Sequence, residues 1–441
     1  MSRLVITSEL LSHLRKELLK SETEACAVLF GRSVEINGRL SRIVVRNSLI
    51  PDESAYTYRA IHSAQLRPEF VAEVGQRAHR SGESVIFVHT HPFSLNEFSK
   101  VDDAGEEALA SFLKQRAPNA RHAALLLTRE KNLSRELGKR ESLRIISVGP
   151  DIFFGNNSKV RDLQNIYDRQ VRVFGSEGQE ILRSIRIAIV GLGGTGTITL
   201  QLLAHLGIKD FLLIDPDVVE ETNLNRLVGS TVADIGKPKV LVAQKWVQQI
   251  HPELKIETIQ DSILRNEVAK KLADVDFIFG CTDSHGSRAV INQFAYQYLV
   301  PTIDMGVVIA VKDGKVSNVA GRTQLLAPGL ACMVCGNLLD YEEVRRDLLT
   351  DFERKADPYI LGNPEPSPAV ISLNSTIASL AITMFLNSVV GIPGSARFIN
   401  YNAIEGTARP AFCIPHPSCI VCSLSGALAR ATEWELPARI D

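Results

Sequence analysis

The sequence predicts an α/β protein of two domains in series. A mixed-sheet domain occupies residues 1–150, a linker spans 151–160, and a doubly wound parallel sheet fills 161–441. Three observations carry this reading. A chain of 441 residues exceeds one ordinary core and fits two unequal domains. Short apolar runs alternate with amphipathic helical text, the pattern of layered α/β folds. Past residue 160 the order becomes strand, glycine turn, helix, strand, which is how a doubly wound sheet begins.

In the first domain an amphipathic helix is expected from about residue 8 to 20. A hairpin follows, because Val34-Glu35-Ile36 and Ile43-Val44-Val45 flank Asn37-Gly38, a pair that tolerates the positive φ of tight turns. A helix is expected over 67–81, a strand at Val85-Ile86-Phe87-Val88, and a helix from 101 to about 115. The polar segment from Gly149 to Lys159 has linker composition and sets the boundary. Beyond it come a strand at 185–190, the turn Gly191-Leu192-Gly193-Gly194-Thr195-Gly196, a helix over 197–206 and a strand at 211–214. Further strands are expected at Phe277-Ile278-Phe279 and Thr302-Ile303. Residues 340–368 are polar and proline-containing, the text of a long crossover loop or lid. No internal repeat or low-complexity tract is present.

Apolar residues make up 45% and charged residues 22%, which excludes wholesale disorder and a coiled coil. A net charge of −1 supplies no long-range field, so neither nucleic acid nor membrane is expected as a partner. No apolar stretch is read as reaching the roughly 18 residues that span a bilayer, and the start, Met1-Ser2-Arg3-Leu4-Val5, carries charge where a signal peptide would be apolar. The expected location is cytoplasmic. Seven cysteines are too sparse for a disulfide framework. Four of them form two Cys-x-x-Cys pairs, Cys332/Cys335 and Cys419/Cys422, which in a reducing compartment points to zinc.

Chemistry concentrates first in His89-Thr90-His91-Pro92 and Ser99-Lys100-Val101-Asp102. Side chains alternate along a strand, so His89 and His91 face the same way and can share an ion, with Asp102 closing the set. Two His and one Asp leave a fourth zinc position for water, the pattern of a catalytic site, and zinc lowers the pKa of that water to about 7. Ser99 can donate to a developing oxyanion. Glu24, just ahead of the apolar run from Ala25 to Gly31, is the candidate base. Each residue also has an ordinary reading. Ser99-x-x-Asp102 fits a capping box, and strand-end histidines occur without metal.

Glu, then His-x-His, then Ser-x-x-Asp, in this order, resembles the JAMM/MPN-type metalloproteases over about residues 1–140. The resemblance implies hydrolysis after the C-terminal glycine of ubiquitin-like proteins. In it His89, His91 and Asp102 hold catalytic zinc, Glu24 moves the proton and Ser99 steadies the oxyanion.

The second concentration is Gly191-x-Gly193-x-x-Gly196 followed by Asp215 at a strand end. Glycines let backbone approach phosphate at a helix N-terminus, and the acidic residue takes ribose hydroxyls. Taken alone this motif fits a nicotinamide-dependent dehydrogenase. The text from Asp215 to Arg226, then Gly236-Lys237-Pro238-Lys239 and Cys281-Thr282-Asp283, adds cations and a carboxylate that hydride transfer does not need. Attack of a carboxylate on the α-phosphate of ATP does need them, because charge builds on the phosphate oxygens.

From about residue 166 to 422 these residues resemble the ThiF/MoeB-type activating enzymes, the superfamily of ubiquitin-activating enzymes, whose domain is Rossmann-like. The resemblance implies an ATP site of Gly191, Gly193, Gly194 and Gly196, with Asp215 at the ribose. Asn223, Arg226 and Lys239 would sit on the phosphates and Asp283 on magnesium, with Cys332, Cys335, Cys419 and Cys422 holding structural zinc. Tyr167-Asp168-Arg169-Gln170 is similar to the family's Arg-Gln element, whose arginine serves the partner subunit's ATP site, and a homodimer is implied.

Many members carry a cysteine after the first zinc pair and take the carrier as a thioester. Nothing between Gly336 and Phe412 is cysteine; Cys413, close to the second zinc pair, is read as a small buried residue, and Cys281 as an ordinary cysteine at a strand end. Adenylation without a self-thioester is expected, the acyl-adenylate passing to a conjugating-type thiol or a sulfur donor. A thioester on Cys413 is the alternative. Both halves would act on the glycine-ended tail of a ubiquitin-like or sulfur-carrier β-grasp protein, in a bacterial-type ubiquitin-like conjugation pathway. Sulfur-carrier processing for cofactor or thio-metabolite synthesis, and a nucleotide-sensing scaffold with little catalysis, are the other readings.

Overall fold

The computed structural model describes residues 1–93, 96–155, 165–350, 353 and 368–439. It forms two compact units. The first is Met1–Ser158 with Gln297–Leu299 and Ala427–Trp434, and the second is Lys159–Tyr296, Val300–Gly426 and Glu435–Asp441. No local signal announces the two late segments of the first unit. Arg32 Nε donates to Glu433 at 3.0 Å, and Arg42, almost fully buried, donates to the Tyr298 carbonyl at 3.2 Å.

The first unit runs β1 (Arg3–Thr7), α1 (Ser8–Leu18), β2 (Cys26–Ile36), β3 (Arg39–Leu49), β4 (Tyr56–Ala60), β5 (Ser63–Leu66), α2 (Pro68–Ser81), β6 (Ser84–His91), α3 (Lys100–Arg116), β7 (Ala123–Thr128), β8 (Asn132–Glu136), β9 (Ser142–Val148) and β10 (Phe153–Phe154). Its mixed sheet has the order β1-β3-β2-β6-β7-β8-β9-β10, and β1 also pairs with β9, so the sheet curls until its sides meet. Asn37 and Gly38 both take positive φ, 52° and 73°, and join β2 to β3. Helix α2 starts at Pro68 rather than Arg67, because the residue before proline is pushed to extended backbone and proline suits the first helical position.

Strand alternation divides two cores. Ala27, Leu29, Ile86 and Val88 pack with α1, while Val28, Phe30, Val85 and Phe87 pack with residues of α2 and α3. Strand β6 is longer than its apolar run because backbone pairing continues on both sides, Cys26 opposite His89 and Thr128 opposite His91. The segment read as linker opens with a strand: Phe153 and Phe154 pair with Ser147 and Ile146 of β9. Residues 156–160 lie outside the described residues.

The second unit runs α4 (Asp168–Ser184), β11 (Arg186–Val190), α5 (Gly194–His205), β12 (Asp210–Ile214), α6 (Lys239–Val247), β13 (Lys255–Ile259), α7 (Asn266–Lys271), β14 (Phe277–Gly280), α8 (His285–Gln297), β15 (Thr302–Lys312), β16 (Lys315–Leu326), α9 (Tyr341–Leu348), α10 (Ile371–Val389), β17 (Phe398–Asn402) and β18 (Thr407–Pro410). The sheet order is β13-β12-β11-β14-β15-β16-β17-β18. Strands β13 to β15 pair in parallel and β15 to β18 antiparallel. Strand order reverses between β11 and β14, the switch point where such sheets bind ligands. Within the segment read as loop or lid, α9 forms; most of the rest, 351–352 and 354–367, lies outside the described residues.

Helix α10 corrects one expectation. Its 19 residues are long and apolar enough, by length and composition, to cross a membrane, but 44% of its apolar window is buried inside the protein. There Phe385 meets Phe277 and Phe279 edge-on, at ring distances of 4.9 and 5.5 Å. Phe385→Ala is expected to destabilise the second unit by about 3–5 kcal/mol, read by urea unfolding. A loss below about 1 kcal/mol would mean this contact does not hold the helix.

Candidate functional site

His89 and His91 continue the line of Val85 and Phe87 on the face of β6 that α2 and α3 cover. They therefore aim at the start of α3, where Asp102 stands. His89 Nε2 lies 3.2 Å from Asp102 Oδ1, and His91 Nε2 lies 3.4 Å from Asp102 Oδ2. Glu24 Oε1 is 3.7 Å from His91 Nε2.

The capping-box reading of Ser99-x-x-Asp102 is realised in the same place. Ser99 N–H donates to Asp102 Oδ2 at 2.6 Å and Asp102 N–H donates to Ser99 Oγ at 3.2 Å. The two readings are compatible. The cap holds the carboxylate toward the histidines, and Ser99 Oγ, as an acceptor, keeps its own proton for donation.

Burial raises the Asp102 carboxyl, but the facing imidazoles outweigh it and hold the group well below the usual carboxylate range. For Glu24 burial prevails over the histidines and pushes its carboxyl up.

This donor set fits a tetrahedral cation. Its three ligand atoms lie within 4.8 Å of one another, and bonds of about 2.0–2.1 Å place ligands about 3.3 Å apart. His89 Nε2 is buried, and its neighbour among the described residues is the Asp102 carboxylate, another candidate ligand.

Sequence reasoning missed what places Glu24. Thr90 points opposite to the histidines, accepts from Ala25 N–H at 2.9 Å on its Oγ1, and donates its own N–H to the Ala25 carbonyl at 3.0 Å. Tyr56 Oη accepts from Cys26 N–H at 2.9 Å, and Arg59 Nε donates to the Glu24 carbonyl at 3.0 Å. A residue alternating between two candidate ligands was the available signal for Thr90; nothing local marks Tyr56 or Arg59.

In the second unit, Gly191 has a φ of 89°, and a Cβ there would sit 2.8 Å from the Cys281 carbonyl oxygen. A Cβ on Gly196 would sit 1.9 Å from Gly191 O, and one on Gly194 2.1 Å from Asn374 Nδ2 of α10. Around Gly193 nothing lies within 4 Å of that position, so the open side of the turn is there, at the start of α5. Asp283, exposed, follows the Cys281-Thr282 backbone that abuts Gly191.

Asp215 is buried and builds the turn: Oδ2 accepts from Leu192 N–H at 2.5 Å and Oδ1 from Asp217 N–H at 2.9 Å. Burial pushes its carboxyl up. Lys239 Nζ donates to Asp217 Oδ2 at 2.8 Å, a partner the sequence reading did not name and one with which a phosphate would compete. Arg226 donates to the Thr222 carbonyl at 2.7 Å, and its Cβ lies 3.5 Å from the position a Gly194 Cβ would take. Asn223 Oδ1 accepts from Glu220 N–H at 3.2 Å, fixing the loop. Arg169 is exposed on α4, while Gln170 anchors that helix by donating to the His205 carbonyl at 3.0 Å.

Four thiols converge. Sγ–Sγ distances are 3.5 Å for both Cys332–Cys419 and Cys335–Cys422, and all four lie within 4.8 Å. That is too long for a disulfide and close to the edge of a tetrahedron with bonds of about 2.3 Å. His416 N–H donates to Cys335 Sγ at 3.2 Å and Val421 N–H to Cys419 Sγ at 3.4 Å.

Cys281 is fully buried, which pushes its thiol up to about 12. Cys413 is not the buried residue expected. It is half-buried in an irregular segment after β18, between exposed Phe412 and Ile414.

Residues 167–421 match the ThiF family model, and residues 6–138 match that of the prokaryotic homologs of the JAB domain. The chain is 29% identical over 260 residues to the molybdopterin-synthase adenylyltransferase of Escherichia coli strain K12, covering 58% of this chain and 95% of that protein. It is 25% identical over 256 residues to the SAMP-activating enzyme E1 of Haloferax volcanii, covering 57% and 85%. It is 26% identical over 275 residues to the sulfur carrier protein adenylyltransferase of Thermus thermophilus, covering 61% and 94%.

Thr90→Val leaves the Ala25 N–H buried without its acceptor and is expected to cost about 1–3 kcal/mol of first-unit stability. Denaturant unfolding reads this; a loss under about 0.5 kcal/mol would show that the bond does not hold Glu24's strand end.

Proposed function

The chain belongs to the ThiF family and carries a JAB-type domain ahead of its ThiF region, and from that premise we propose a bifunctional enzyme for the C-terminal tail of a ubiquitin-like or sulfur-carrier protein. The second unit adenylates the tail with ATP. The first hydrolyses the bond after the tail's terminal glycine, trimming a precursor or releasing a conjugate. One observation carries this reading: the ligand atoms of His89, His91 and Asp102 converge within 4.8 Å of one another in the same chain as the ThiF glycine turn. Relatives named as a SAMP-activating enzyme and a sulfur carrier protein adenylyltransferase support a carrier of this class.

In the adenylation, the tail carboxylate attacks the α-phosphorus of ATP. An acyl–phosphate anhydride forms and pyrophosphate leaves. Backbone N–H groups at the start of α5 receive phosphate at the positive end of the helix. Asp215 takes the ribose, Asn223, Arg226 and Lys239 offset the charge on the phosphates, and Asp283 holds magnesium. Arg169 serves the ATP of a second copy in a homodimer. With Cys281 buried, the acyl group passes to a thiol or sulfur donor outside this chain. The four-cysteine cluster holds structural zinc, and the cytoplasm keeps those thiols reduced.

In the hydrolysis, His89, His91 and Asp102 hold zinc, which when bound lowers the pKa of water to about 7. Glu24 takes a proton on its carboxylate and returns it to the departing amine. Ser99 Oγ donates to the carbonyl oxygen as it becomes negative.

Glu24→Gln is expected to keep its zinc, measured by elemental analysis, and to cut cleavage of a tail-extended carrier by about 100-fold or more. Equal cleavage by the variant would remove Glu24 as the base. ATP–pyrophosphate exchange is expected only with a glycine-ended carrier, and Asp283→Asn should lower it by about 100-fold. ATP binding with no exchange for any carrier would favour the nucleotide-sensing scaffold instead.

A further inference from the structure

The antiparallel part of the second unit's sheet has two unlike faces. On one, α10 packs so closely that a Cβ on Gly321 would lie 2.4 Å from Ile377 Cδ1. The other is set by register: Gly306 stands opposite Arg322, Val308 opposite Ala320, Arg322 opposite Asn400, and Asn400 opposite Arg409. Paired residues share a face, and these line a cavity of about 480 Å³.

A charged cluster forms one end of it. Asp304, fully buried, lies 2.8 Å from Arg322 Nη2 and 3.6 Å from Arg288 Nε. Arg288 arrives from α8 across Gly306, where a Cβ would come within 2.6 Å of Arg288 Nη2. One carboxylate thus faces two guanidiniums, whose side chains are only 14% and 17% exposed. Arg288 Nε faces Asp304 Oδ1, whereas Arg322 Nη1 is buried with no hydrogen-bond acceptor among the described residues. Near the rim, Arg409 and Glu405 offset each other at 3.7 Å. Three guanidiniums therefore meet two carboxylates, and the surplus positive charge sits at the buried end. Planar guanidinium forks with unused N–H groups are built for a further carboxylate.

We infer that this cavity receives an acidic side chain, Asp or Glu, from the extended segment just before the carrier's terminal glycine. The inference rests on the carrier reading above and adds a specificity site to it. Gly306 lets the Arg288 guanidinium lie against the sheet, Ala320 leaves room beside it for an extended backbone, and the Asn400 amide on the same face can pair with peptide groups. An apolar side chain leaves the buried donor unpaired, an amide can accept from it without offsetting the positive charge, and a basic side chain meets like charge, so the site discriminates by what it rejects as well as by what it binds.

The test uses the full chain and short fluorescent peptides ending in Gly-Gly, with one Glu walked through the preceding positions and a Gln counterpart for each. Anisotropy is expected to show Glu binding about tenfold or more tighter than Gln at one position. Arg322→Gln should abolish that preference. Because Arg322→Gln leaves Asp304 less well paired, Ala320→Leu provides a second variant that fills the floor without touching the charged cluster, and it should weaken the preferred peptide at least about fivefold. Equal affinity for Glu and Gln at every position overturns the inference, as does a preference that survives both variants.

Pyrophosphate exchange with the same peptides tests the carrier reading separately. Exchange without any Glu preference removes the acidic-tail site and leaves carboxylate activation standing. A Glu preference without exchange supports the site and counts against activation.

Discussion

The pairing of the start of β2 with the end of β6 is the constraint on which the first unit's chemistry depends. Cys26 stands opposite His89, and Thr90 binds Ala25 through both backbone and side chain. Side chains alternate along a strand, so a slip of one residue would turn His89 and His91 into the α1 core and bring Thr90 to face Asp102. The register holds because both neighbouring faces are filled. Ile86 and Val88 are committed to one apolar core, Val85 and Phe87 to the other. Packing energy distributed over these residues thus enforces the placement of a few polar atoms.

In the second unit the equivalent constraint is close backbone approach. Gly191, Gly194 and Gly196 each stand where a Cβ would enter neighbouring atoms, whereas Gly193 opens to space. Three glycines build the turn and one exposes it. Asp215 belongs to the same construction, since its oxygens tie Leu192 and Asp217 to the strand end. A carboxylate of this kind can orient a ligand because backbone donors already hold it still, with little side-chain freedom left to lose on binding.

Several residues serve structure and chemistry together. Ser99 and Asp102 cap α3, and Asp102 also faces the histidine pair. The capping and ligand readings looked like alternatives in one dimension and are one arrangement in three. The cap fixes the backbone angle at which the carboxylate leaves the helix. Asp304 carries a similar double load, facing two arginines from different elements and offsetting one of their two charges while Arg322 Nη1 stays without an acceptor among the described residues. No spacing rule links Arg288, Asp304 and Arg322, which come from a helix and two strands.

Local chemistry made much of the molecule legible in the sequence. The Asn37-Gly38 hairpin, the Pro68 start of α2 and the strand–glycine–helix order of the second unit follow from backbone sterics. That His89 and His91 share a face follows from strand periodicity. Helix α10 was passed over by a reading that found no apolar stretch of spanning length, although by length and composition it qualifies, with 44% of its apolar window buried. Only the tertiary structure decided that Glu24, just ahead of β2, reaches His91 at the end of β6, and that four distant thiols meet. It alone drew residues 297–299 and 427–434 into the first unit, left Cys413 uncovered, and gave one face of the second sheet a buried excess of positive charge. The physical reason is the same in each case. Residue type and spacing govern contacts within a few positions along the chain, whereas these contacts join segments whose separation is closed only when the cores pack.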